Sequence, residues 1–218
     1  MEDNFRNTYW QKRLGNCAKA LEKNGFEVHI AESRQQAGEI AWQIIDNIAP
    51  ASIGIGDSIT MRSTGITERV AADTRWKYID GFDKNRPREE NLKIRREALL
   101  SELFIVGANA VSADGKLFWL DMIGNRIAPI SFGPYNVIVF IGRNKLTATQ
   151  EEAIARIKET AAPLNAIRHT NLKTPCQATG KCHNCASPDR ICNSWLIMEK
   201  CFPQKRLKVI LINEELGL

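Results

Sequence analysis

Four of the six cysteines in this chain fall within seventeen residues, Cys176, Cys182, Cys185 and Cys192, in a C-x5-C-x2-C-x6-C array. Thiolates brought together by one short loop repel one another unless a cation sits between them, and Pro175, Gly180 and Pro188 supply the turns such a loop needs. The spacing is not the C-x2-C-x2-C-x3-C-P run of bacterial ferredoxins, and only Cys182 and Cys185 make the C-x2-C knuckle that zinc ribbons use twice. An iron–sulfur cluster, a structural zinc ion and metal-free redox thiols therefore all stay open. His183, inside the knuckle, could replace one cysteine, although a loop histidine is more often solvated. Cys201 is expected to pack rather than to ligate, and Cys17 to be a small core hydrophobe on the first helix.

Two glycine-containing turns could line a small-molecule site. The first is Gly56-Asp57-Ser58-Ile-Thr60, where a strand ends in glycine and hydroxyl and carboxyl groups follow at a helix start. A tight turn with Asp57 or Ser58 as helix cap is the plainer account of it. The second runs from Gly107 and Asn109 to Asp121, Asn125 and Arg126, with Arg126 placed to hold a carboxylate or phosphate. Its plainer account is Asn125 capping a helix and Arg126 paired with Asp121.

The surrounding pattern alternates helices and strands. Leu14, Cys17, Ala18 and Leu21 recur at helical spacing over 4–24, and Asn24-Gly25 stops that helix before a strand at 26–30. Ser33 through Gln36 reads as a capping box for a helix ending before Pro50, followed by a strand at 51–56. One or two short helices span 57–70, broken at Thr64-Gly65, and another helix spans 89–100. Strands are expected at 102–106, 137–141 and 208–212, with a hairpin around Asp114-Gly115 and a helix capped by Thr149. Residues 194–200 read as a helical turn beside the cysteine loop.

Several strands are apolar throughout, which predicts an α/β fold: an open, mostly parallel sheet with helices on both faces. The chain is expected to form one domain over 1–218, with 170–203 as a cysteine-rich loop inserted before the last strand. The net charge of +5, from 30 basic and 25 acidic residues, is mild and spread. Lys173, Lys181 and Arg190 could touch phosphates, but aromatic and basic residues do not interleave, which argues against nucleic acid. The polar start carries no secretory signal, and 127–142 is too short and too interrupted to span a bilayer, so a cytoplasmic protein is expected. In that compartment the cysteines favour metal or redox chemistry over disulfides.

The run Gly107-Ala-Asn-Ala-Val-Ser-Ala-Asp-Gly-Lys-Leu, then Asp121 to Arg126, Phe132-Gly-Pro, and Val137 through Arg143-Asn144-Lys145 resembles the lactate-utilization (LUD) domain family. Gly56-Asp-Ser-Ile-Thr is similar to that family's Gly-x-Ser-x-Thr turn. The resemblance implies a fold related to sugar-phosphate isomerases and CoA transferases, and a place beside iron–sulfur proteins that oxidise lactate to pyruvate. A weaker likeness joins Gly107-Ala-Asn109 to the Gly-Ala-Asp motif of methylthioribose-phosphate isomerases. Asn109 has no titratable group where those enzymes use aspartate, and no glutamate stands out among these motifs as the nucleophile that CoA transfer needs.

Two functions follow as expectations. One is an oxidoreductase component for lactate or a similar 2-hydroxy acid, acting with iron–sulfur partner subunits, with an iron–sulfur cluster in the cysteine loop and a small anion, a carboxylate or sugar phosphate, bound by the glycine turns. The other is a ligand-binding or regulatory protein on an isomerase-like fold, stapled by zinc.

Overall fold

The computed structural model describes residues 2–218, with side chains from residue 5 onward. Six strands, β1 (Glu27–Ala31), β2 (Ser52–Ile55), β3 (Lys77–Ile79), β4 (Leu103–Gly107), β7 (Asn136–Gly142) and β10 (Leu207–Ile212), form an all-parallel sheet in the order β1-β10-β7-β4-β2-β3. The central strands are buried on both faces, which is why they read as continuous apolar runs. Their alternating side chains nevertheless divide cleanly. Leu103, Ile105, Ile138 and Phe140 meet Ala41, Ile45, Met61 and Val70 from helices α2 (Arg34–Ile48), α3 (Ile59–Arg62) and α4 (Ile66–Ala72). Phe104, Val106, Val137 and Val139 meet Leu14, Cys17 and Leu21 of α1 (Glu2–Lys23) on the other face.

That second face also packs on a smaller sheet. Strands β5 (Ala110–Ser112), β6 (Leu117–Asp121), β8 (Leu146–Thr147) and β9 (Ser194–Met198) pair in the order β8-β5-β6-β9. Asp114-Gly115 turns β5 into β6, with Gly115 at φ 82, and the Asn24 side chain donates 3.0 Å hydrogen bonds to the carbonyls of Asp114 and Gly115, tying the turn to the end of α1. Strand β9 corrects the helical turn expected over 194–200. It runs antiparallel to β6, with Trp195 opposite Leu120 and Ile197 opposite Phe118. The backbone groups of β6 would otherwise form an open edge, and pairing them outweighs a weak helical pattern. The three-residue β3 was also absent from the sequence reading.

Caps fall where expected. Ser33 Oγ accepts from the Gln36 N–H at 3.2 Å, and the Gln36 side chain accepts from the Glu32 N–H at 2.7 Å. Thr149 caps α7 (Gln150–Arg156) by accepting from the Glu152 N–H. This helix widens into a π-turn at Ile157–Ala161 before α8 (Ala162–Ile167). Pro163 has no N–H for the carbonyl four residues back, which accounts for the break. Helix α5 (Arg88–Glu97) precedes β4, α6 (Ile127–Ser131) follows β6, and α9 (Pro175–Thr179) begins the cysteine segment. Among the described residues no helix is long and apolar enough to cross a membrane.

Candidate functional site

The carboxyl ends of β2, β4, β7 and β10 all open on one side of the parallel sheet, where such folds take ligands. A cavity of about 590 Å³ lies there, covered by the π-turn and α8. Of the sequence-predicted residues, Asp57, Ser58, Thr60, Gly107, Asn109, Asp121, Asn125 and Arg126 line it. Gly56 does not: a Cβ there would come within 2.8 Å of Val106 and 3.0 Å of Phe104, so its small size serves packing under the sheet. Gly107 is small for a related reason, because a side chain there would collide with Ser58.

Two carboxylates organise the walls. Asp121 is 3% exposed and accepts from the backbone N–H groups of Met122 (3.0 Å) and Arg126 (2.9 Å). The Arg126 guanidinium donates to it through Nε (2.9 Å) and Nη2 (2.8 Å), and Nη2 also donates to the Leu120 carbonyl. Burial pushes the Asp121 carboxyl up, but the charge of Arg126 and these hydrogen bonds outweigh it and hold the group ionised below its ordinary range. Arg126 Nη1 has no hydrogen-bond partner among the described residues. Asn125 makes no cap, since the cap position of α6 is Arg126 and no side chain makes a capping bond there.

Across the cavity Asp57 sits between Arg62 (2.9 Å) and Arg168 (3.3 Å). Burial raises its pKa, yet the hydrogen bond and charge of Arg62, with the charges of Arg168 and Arg126, hold it below the usual value. Ser58 Oγ caps α3 by accepting from the Met61 N–H at 3.3 Å, so the capping account of the first turn and its place on the cavity coexist. Asn109 Oδ1 accepts from the Leu120 N–H at 3.0 Å and fixes the start of β5 against β6.

Several cavity groups were not among the sequence-predicted site residues. Lys145, 4% exposed, follows β7, and its Nζ donates to Thr60 Oγ1 (2.8 Å) and the Ala108 carbonyl (3.0 Å). Burial, reinforced by the charges of Arg156 and Arg126, lowers its pKa to about 7. Arg95 and Arg168 add positive charge, and His169 is held toward its neutral form by burial and by Arg168. The only sequence signal for Lys145 was its place in the Arg143-Asn144-Lys145 run. The others come from segments with no distinguishing pattern.

The four clustered cysteines line a second, small cavity together with Pro163, Thr174, His183 and Arg190. All four are free thiols and partly buried. Arg190 knits the segment: it donates to the carbonyls of Cys185 and Cys192 and, at 3.1 Å, to Asn184 Oδ1. Cys176 Sγ lies 3.2 Å from the Thr174 hydroxyl, and His183 Nε2 is 2.7 Å from Thr179 Oγ1. Among the described residues no three His, Cys, Asp or Glu side chains close on a point that a single ion would occupy. Cys201 lies elsewhere, 5% exposed, accepting from the Leu207 N–H, while Cys17 is fully buried with its thiol pushed up to about 12 by desolvation. The two cavities share a wall: Ala162, Ile191 and Cys192 line both.

Comparison with known proteins adds the following. The LUD domain family model matches residues 14–212. None of the curated proteins matches the chain. Among solved structures, the chain is similar to the crystal structure of a DUF162 family protein from Deinococcus radiodurans, at 13% identity, over 94% of this chain and 98% of that one, with a TM-score of 0.49.

Proposed function

We propose that this chain, which belongs to the LUD domain family, works in the redox metabolism of lactate or a similar 2-hydroxy acid, with a small-anion site in the large cavity and an iron–sulfur cluster in the cysteine loop. The observation that carries this reading is the shared wall, because Cys192 and Ile191 border the anion cavity on one side and the thiol cavity on the other. A redox group one residue from a ligand is what electron exchange with that ligand requires.

What supports the cluster is the donor chemistry, four thiols on one segment. Cys176, Cys182, Cys185 and Cys192, four partly buried thiols lining one cavity, would hold it. When bound there, an iron–sulfur cluster supplies one-electron transfer. Trp195 on β9 packs in the same apolar cluster as Cys192 and would limit that thiol's access to water.

In the large cavity the chain's own residues bind and orient. Arg126, held rigid by Asp121, presents Nη1 to a carboxylate, and Arg168 and Arg95 keep the site cationic. Lys145 and His169 hold positions at which a proton could be accepted near neutral pH. Partner iron–sulfur oxidoreductase subunits would complete the electron path.

The test is elemental analysis and a visible spectrum of protein purified without oxygen, with melting temperature followed against L-lactate, pyruvate and a sugar phosphate. Reducible visible absorption and a rise in melting temperature with the acids are expected. A colourless protein containing zinc returns the cysteine loop to a staple and removes the redox half of the reading. No response to any anion removes the other half.

A further inference from the structure

Lys145 is a buried amine with no carboxylate against it. Among the described residues it makes no ion pair. Its charged neighbours are Arg156 on α7 and Arg126 before α6, and the nearby acids already have partners, Asp121 with Arg126 and Asp57 with Arg62 and Arg168. Its two hydrogen bonds are directional. Thr60 gives its own O–H to the Leu216 carbonyl at 3.1 Å, so toward Lys145 it can only accept, as can the Ala108 carbonyl. In the neutral amine both hydrogens are then taken, and the lone pair is left for whatever occupies the cavity that Lys145 and Arg126 both line.

We propose that Lys145 is a nucleophile that captures a 2-oxo carboxylate as a protonated imine, with the ligand's carboxylate held by Arg126. The inference rests on the small-carboxylate half of the proposed function and is independent of the metal. The nitrogen lone pair forms a bond to the carbonyl carbon while the C=O π pair moves to oxygen. One nitrogen-bound hydrogen and one proton from solvent leave with that oxygen as water. The iminium keeps a single N–H, which the Ala108 carbonyl can still accept. No oxidant or reductant takes part, and captured product is set beside the cysteine loop through the shared wall.

The experiment treats the whole protein with pyruvate and sodium cyanoborohydride and maps modified lysines by peptide mass spectrometry, from pH 5.5 to 9. The expected result is a reduced adduct confined to Lys145, appearing through about pH 7, where exposed lysines remain protonated and unmodified. Lys145→Met should lose it, and Thr60→Val, which keeps the amine, should weaken it with the melting temperature in the absence of ligand read alongside. Arg126→Ala should reduce labelling by pyruvate at least about tenfold while sparing labelling by acetaldehyde, which has no carboxylate. If pyruvate raises the melting temperature but Lys145 stays unmodified, the anion site stands and the imine is overturned. If pyruvate neither stabilises nor labels, both fall. Labelling by glyceraldehyde 3-phosphate but not by pyruvate overturns the 2-oxo acid assignment.

Discussion

The large cavity has two carboxylates already matched, Asp121 against Arg126 and Asp57 between Arg62 and Arg168, and Lys145 and Arg95 stand in the same wall without an ion pair among the described residues. The cysteine cavity next to it is walled by four half-buried thiols on a segment with one short helix, and Arg190, which lines it, donates to backbone carbonyls and to Asn184 instead of thiols. One site is therefore organised by the fold before any ligand arrives. The other is a loop whose backbone Arg190 holds while its four thiols stand partly buried around a small cavity.

The sharpest way to break this contrast is Asp121→Ala. It strands a guanidinium in a buried wall and should cost about 3–5 kcal/mol in urea unfolding, with the metal content of the folded fraction unchanged. Equal loss of metal would mean that the two cavities are one cooperative site. Stripping metal with a chelator should do the reverse. Trypsin cleavage after Lys181 and Arg190 should rise about tenfold or more, while pyruvate still stabilises the remainder of the protein.

Arg190→Ala tests whether the loop's backbone is organised without the metal. It removes donors from the Cys185 and Cys192 carbonyls and should lower stability by about 1–3 kcal/mol. No loss in metal-free protein would mean that the bound group alone shapes the loop.

A smaller effect belongs to pH and to the large cavity. The folded pKa of Lys145 is about 7, below the unfolded lysine value, so between these values the unfolded chain holds a proton that the folded chain lacks. Stability should rise with pH from about 7 toward the ordinary lysine range, and Lys145→Met should flatten that rise. Asp57 and Asp121 act at the other end. Their folded values are depressed, so their contribution is complete above the unfolded carboxylate range and fades as pH falls through it and below, and urea midpoints at acid pH measure it.

Much of the site was legible because its parts are local. Glycine after an apolar strand, a hydroxyl at a helix start and the Asp121-to-Arg126 turn are patterns of a few residues, and parallel strands bring such ends to one side. Gly56 misled because a small residue facing a ligand and one facing Phe104 look alike in sequence. Lys145 stayed hidden because its burial depends on where β7 lies among the strands and on Thr60 and Ala108, which are distant in the chain. β9 was misread because its partner, β6, lies more than seventy residues earlier, and its pairing, not its own propensity, makes it a strand. The Asp114-Gly115 hairpin and the Ser33 and Thr149 caps needed no such distant partner.

The shared wall is the centre of this account, and it is tested most directly by a visible and paramagnetic-resonance spectrum of the oxygen-free protein, recorded with and without pyruvate. An iron–sulfur signal that reduction bleaches, and that pyruvate shifts in the native protein but not in Arg126→Ala, is the predicted result. A zinc-containing protein without reducible absorption, or a cluster signal indifferent to every carboxylate that binds, would contradict it.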